Sequence, residues 1–229
     1  MTARYAIYYA PAPGTALHDA ASAWLGRDAA TGAALERPPE PALADLDLDA
    51  LTADPRHYGF HATLKAPFEL SVDQSETDLI EALAVFAAGR PAFTADIAPQ
   101  GLSAFIAFRL IAPCPAMQAL HEDCVRAFEP FRAPLSDADI ARRRRAPLTA
   151  EQDARLIAFG YPYVFEDFRF HMTLTGAVRD EALRIRIITA LQARFAPVSG
   201  PHVFDRLSLF RQETREAPFT ILAQASFGG

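Results

Sequence analysis

Cysteine, lysine and tryptophan are nearly missing from this 229-residue chain, which has two Cys, a single Lys and a single Trp. Cys114 and Cys124 are too few for a disulfide framework, and their spacing fits no zinc motif. A reducing compartment follows. No segment approaches the roughly 20 apolar residues of a membrane span. The N-terminal stretch is too short in apolar length for a signal peptide and reads as a strand. A soluble, cytoplasmic protein with no membrane partner is expected. Basic charge is also in deficit: 22 Lys and Arg stand against 28 Asp and Glu, for a formal net charge of -6. That disfavours a long nucleic acid as partner, while leaving room for a local basic pocket. There is no Gly-x-Gly-x-x-Gly, no P-loop and no Gly-x-Ser-x-Gly nucleophile elbow.

What is present is an ordinary globular composition, 51% hydrophobic and 22% charged. Arg outnumbers Lys overwhelmingly, which with the abundant Ala and Pro reads as genome composition. Tyr5 to Tyr9 reads as a first strand, followed by a helix through Leu17 and Trp24. Residues 26 to 55, rich in Pro, Asp and Ala, read as a long surface loop with room for a short helical turn. Helices are expected after Ser75, over Met117 to Phe128, after Ser136 and Thr149, and from about Asp180 to Phe195. Strands are expected at Phe93 to Leu102, Ala104 to Ala112, Arg169 to Thr175, Val203 to Phe210 and Phe219 to Phe227.

One five-residue pattern occurs twice. Phe60-His61-Ala62-Thr63-Leu64 returns as Phe170-His171-Met172-Thr173-Leu174, the two His lying 110 residues apart. On a strand, strict alternation sorts each copy into an apolar back and a face carrying His and Thr. Two such coincidences among six His are expected by chance at on the order of a few per cent, before the flanking Phe and Leu are counted. A pair of imidazoles with ordinary pKa values of roughly 6.5 suits breaking a phosphodiester, one as base toward water and the other as acid toward the departing alkoxide. Thr63 and Thr173 can donate to the non-bridging oxygens, where charge is held in the transition state. Lys65, Arg169 and Thr175 share the parity of their local His, and Tyr161 lies just upstream of the second copy, where it can stack on a base. The clustered carboxylates and close His pairs of a metal site are absent near either copy, so neither metal nor cofactor is expected. The run Arg142 to Arg145 reads as a solvated helix end, and His18, His121 and His202 as structural or surface residues.

Paired His-x-Thr-apolar motifs, one per half of the chain, resemble the two-histidine phosphoesterase superfamily. Tyr58-Gly59-Phe60-His61-Ala62-Thr63-Leu64-Lys65-Ala66-Pro67-Phe68, Gly160-Tyr161-Pro162-Tyr163-Val164 and Phe168-Arg169-Phe170-His171-Met172-Thr173-Leu174-Thr175-Gly176 look like a bacterial branch of it associated with phosphonate-utilisation operons. The resemblance implies an α+β fold of two antiparallel sheets with outer helices around a central cleft, in two pseudo-symmetric lobes at about 1–112 and 113–229. It implies a phosphodiesterase with His61 and His171 as the acid/base pair, and a small cyclic or nucleotide-like phosphoester as substrate. RNA-end ligation on the same site and non-catalytic binding of a phosphorylated metabolite are the alternatives. A monomer is expected.

Overall fold

The computed structural model describes residues 3–229. In chain order its strands are β1 (Arg4–Tyr9), β2 (Ala62–Glu69), β3 (Phe93–Leu102), β4 (Phe105–Leu110), β5 (Met172–Thr173), β6 (Gly200–Phe204), β7 (Arg206–Gln212) and β8 (Thr220–Ser226). Its helices are α1 (Ala16–Leu25), α2 (Leu48–Tyr58), α3 (Glu76–Ala88), α4 (Pro115–Ala127), α5 (Asp137–Arg143), α6 (Ala150–Phe159) and α7 (Glu181–Phe195). The class is α+β, as expected.

The strands form one sheet in the order β6-β3-β4-β5-β2-β1-β7-β8, antiparallel throughout. It reads as two four-stranded halves joined at the centre, where β2 and β5 meet through the pair Ala62 and Met172. The two motif strands are therefore neighbours. Helix α3 packs on β7 and β8 of one half, and α7 packs on β3 and β4 of the other. Each half of the sheet draws on both halves of the chain: β1 pairs with β7 in one, while β3 pairs with β6 and β4 with β5 in the other. Chain order and spatial order thus interleave across residue 112.

Alternation explains the core. Ile7, Ala62, Leu64, Phe108 and Met172 are fully buried on the helix-covered face with Trp24 of α1. The Trp24 indole donates to the Leu174 carbonyl at 2.9 Å, fixing the end of the second motif. On the opposite face Tyr8, Phe210 and Phe219 form a smaller apolar cluster beside the first motif.

Three elements differ from expectation. Residues 48–58 are helical: Asp47 caps α2 by accepting from the Asp49 and Ala50 N–H groups. The segment has few apolar residues, so its helix is set by this cap and by docking, which periodicity does not reveal. Strand β5 is two residues long, because the Leu174 and Thr175 N–H groups both turn to the single carbonyl of Ile106 and end the ladder. The run 203–210 divides at Asp205 into β6 and β7.

Candidate active site

Across the β2–β5 seam Ala62 faces Met172. Carried one residue each way, this antiparallel register sets His61 across from Thr173 and Thr63 across from His171. Both pairs lie on the face opposite Trp24 and the main core, where Asp54, Pro55 and Tyr58 of α2 wall the His61 side. His61 and Thr173 line one cavity of about 290 Å³. Thr63 and His171 line a second of about 440 Å³, and Phe105 forms part of both walls. The four residues read from the repeated motif are thus brought together, each His beside the Thr of the other copy.

The two rings are held alike. His61 Nδ1 bonds the Gly59 carbonyl at 2.9 Å, and His171 Nδ1 bonds the Arg169 carbonyl at 2.6 Å. A carbonyl only accepts, so Nδ1 carries the proton in both rings and Nε2 presents its lone pair. The Thr63 hydroxyl lies 3.3 Å from His61 Nε2 and can donate to it. The Gly59 carbonyl reaches the ring because the backbone there is at φ +79°, in the region open to glycine, and a Cβ would meet that of Ala29 at 2.4 Å. Desolvation pushes the His61 pKa down to about 4, with the nearby His171 charge adding to the shift. Burial likewise lowers His171, and the Arg109 charge lowers it further.

The walls differ on the two sides. Tyr8 stacks on His61 with ring centroids 3.9 Å apart and an interplanar angle of 21°. Tyr58 and Phe210 stand 6.0 and 5.8 Å from the same ring. Phe105 is 5.6 Å from His171. The pairs Ala107–Thr173 and Phe108–Met172, carried one residue further, set Arg109 across from His171. Tyr8, Tyr58, Phe105 and Arg109 are absent from the sequence expectation. They reach the histidines through strand pairing and loop packing, and only the aromatic character of Tyr5 to Tyr9 hinted at one of them.

Of the other expected residues, Tyr161 and Arg169 line the cavity that holds Thr63 and His171. Thr175 reaches the His61 cavity, but its hydroxyl accepts from the Ile106 N–H and donates to the Gly176 carbonyl, so it is committed to backbone. Lys65 is a correction. It is buried on the helix side, its ammonium 2.7 Å from Glu129 Oε2 and 3.0 Å from the Val125 carbonyl. The cause is a β-bulge: Tyr8 pairs with Thr63 and Ile7 with Lys65, so one step on β1 matches two on β2 and parity is lost after Thr63. The arginine run is largely spent on Asp139 and Asp153, while Arg143 lies over the Tyr161 ring at 4.9 Å.

Among the described residues no group of three or more His, Cys, Asp or Glu has the arrangement of a metal site, and no helix is long and apolar enough to cross a membrane. Chemically, the arrangement offers two unprotonated Nε2 atoms in two cavities that share the Phe105 wall, two hydroxyls and a neighbouring guanidinium.

Comparison with known proteins gives three findings. A profile of the family described as "Protein of unknown function (DUF1045)" matches residues 63–220. Proteins named "Ribose 1,5-bisphosphate phosphokinase PhnN" are 38% identical over 99% of the chain in Janthinobacterium sp. (strain Marseille) and 33% identical over 88% in Laribacter hongkongensis (strain HLHK9). The chain spans about half the length of these relatives, 51% and 48%. Among solved structures, E. coli LigT complexed with 3'-AMP aligns over 100% of both chains at 14% identity and TM-score 0.46. TT0787 of Thermus thermophilus aligns over 100% of this chain and 99% of its own at 14% identity and TM-score 0.45.

Proposed function

The chain belongs to the DUF1045 family, and from that premise we propose that it hydrolyses a small cyclic or nucleotide-like phosphodiester by acid–base catalysis between His61 and His171. The observation that carries this reading is the crossed pairing of two His-x-Thr motifs on adjacent central strands, with Nδ1 of both rings held by the carbonyl two residues back.

In the step so derived, one neutral Nε2 takes a proton from water as the water oxygen bonds to phosphorus. The other imidazole, protonated, gives its proton to the alkoxide as the ring P–O bond breaks. One water is consumed, and the two histidines exchange charge states. Thr63 and Thr173 donate to the non-bridging oxygens. Desolvation keeps both rings neutral in the free protein; an anionic phosphate between them opposes that desolvation and favours protonating one. Substrate binding and loading of the acid are therefore coupled.

Relatives named for acting on ribose 1,5-bisphosphate bring ribose phosphates into the substrate class, consistent with a place near phosphonate breakdown. Those relatives are about twice as long, and this chain has no P-loop. The proposal therefore assigns it an activity separate from their kinase name.

The test is hydrolysis of nucleoside 2′,3′-cyclic phosphates at neutral pH. His61→Ala and His171→Ala should each lower kcat/KM by about 10²- to 10⁴-fold, with chelators leaving the wild-type rate in place. Retention of activity in both variants would end the mechanism. RNA-end joining by the same preparation would favour ligation, and saturable binding without turnover a non-catalytic role.

A further inference from the structure

The two sides of the histidine pair are not equivalent, and the difference has a ligand chemistry. Around the seam the sheet is pseudo-symmetric, so the residue just past β1 that corresponds, beside His61, to Arg109 beside His171 is Ala10. One ring faces an aromatic wall and the other a guanidinium. Among the described residues, the segment just before Met172 makes no ladder pair with β4. A cavity of about 640 Å³ opens there, between residues 109–115 and 168–170. Its lining is mostly apolar, but Arg109 and Arg169 both stand in its wall.

These two arginines are unusual for this molecule, where most are tied to carboxylates. Arg109 contacts the Gly101 carbonyl through Nη1 at 3.2 Å, and its Nε is buried with no hydrogen-bond partner. Arg169 spends only Nη1, on the carbonyls of Glu166 and Phe168. Neither makes an ion pair among the described residues. The nearby carboxylates do not compete for them: Arg155 holds both Glu166 and Asp167. A buried unpartnered guanidinium nitrogen is costly unless an acceptor arrives, and two free guanidiniums at one cavity favour a multiply charged oxyanion.

We infer that this cavity is a second anion subsite, which takes a phosphate or phosphonate group carried on the same molecule whose diester lies at the two histidines. The substrate half of the inference rests on the hydrolase reading; the anion half does not. A substrate of this class is a sugar phosphodiester bearing a further phosphate. Its diester would lie over the seam and its second anion on the His171 side, which also orients it.

The experiment compares adenosine 2′,3′-cyclic phosphate with the same compound carrying a 5′-phosphate. In the wild type the added phosphate should raise kcat/KM at least about tenfold. Arg109→Gln should bring that ratio toward one, whatever it does to the absolute rate, and Arg109→Lys should restore part of it. A ratio near one in the wild type, or one unmoved by Arg109→Gln, overturns the subsite. Calorimetric binding of ribose 5-phosphate against ribose separates this from the hydrolase reading. Phosphate-dependent binding that survives His61→Ala and disappears in Arg109→Gln supports the subsite even if neither diester is turned over. Binding lost in His61→Ala and kept in Arg109→Gln places the phosphate at the histidines and overturns it.

Discussion

Each motif histidine spends its Nδ1 on the carbonyl two residues back, Gly59 for His61 and Arg169 for His171. That leaves one tautomer and one free nitrogen per ring, so acid–base work depends only on how many protons the pair holds. His61 is held down to about 4 by desolvation, and His171 is lowered by the same cause. The catalytic form needs one of the two protonated. In free protein this requires acid, whereas in the complex the bound phosphate supplies the compensating charge. The pH optimum of kcat/KM, which reports the free protein, should therefore lie on the acid side of neutrality, and the optimum of kcat should lie at higher pH. Coincident optima at or above about pH 7.5 would contradict the coupling. At this scale the motif residues were legible because strand parity is a property of the sequence itself. Lys65 was misplaced because a bulge is decided by pairing with β1. Arg109 was invisible because only the β4–β5 register brings it to His171.

The elements that hold the two motifs together contribute side-chain bonds that no strand or helix pattern announces. His121, on α4, has Nδ1 2.9 Å from the Leu64 carbonyl of the first motif, and its Nε2 accepts from the Phe165 N–H at 3.1 Å, just before the second. Its ring stacks on Phe168 with centroids 3.9 Å apart. Phe165 sits at φ +59°, a conformation that costs a bulky residue and persists only where it is held. Pro55 works in a similar way: lacking an N–H, it leaves the Leu51 carbonyl of α2 free, and Gly176 at the end of the second motif donates to it at 2.7 Å. Neither His121 nor Pro55 is marked by periodicity, so the extent of α2 and the partners of His121 are not legible in the sequence, although His121 reads there as a structural or surface residue and is structural here. Burial depresses the His121 pKa from 6.5 to about 4, which fixes a sign. Between pH 6.5 and 4 the unfolded chain takes up a proton that the folded one refuses, so stability falls as pH drops through that window and is unaffected above it. His121→Leu should lose about 2–3 kcal/mol at pH 7 by orphaning the Phe165 N–H and Leu64 carbonyl, yet show a shallower decline between pH 6.5 and 4. Urea unfolding at both ends of this range checks it. A loss under about 0.5 kcal/mol at pH 7, or an unchanged slope with pH, would remove His121 as the tie between the motifs.

The whole molecule joins two similar half-sheets through a seam of one residue pair, and the chain crosses between the halves rather than completing one before starting the other. β1 lies between β2, which follows it early, and β7, which arrives roughly 200 residues later, with Arg4 paired to Gln212. The sequence pointed to two similar halves because each motif is followed by a helix and strands. It did not show which strands share a half, since partner choice is made by tertiary pairing between segments far apart. The functional site inherits this arrangement, because His61 and His171 belong to different halves and meet only when the seam forms. A cut near residue 112 makes the consequence measurable. The fragment 1–112 keeps β1 and β2 without β7, β8 or β5, and the fragment 113–229 keeps β7 and β8 without β1. Each would expose unpaired strand edges and the apolar faces they cover. Neither fragment alone should give a cooperative thermal transition or dispersed amide resonances. Mixing the two should restore both, together with phosphodiesterase activity, at a rate that depends on concentration. Independent folding of either fragment would instead make each chain half a self-sufficient lobe and reduce the crossing strands to a late exchange.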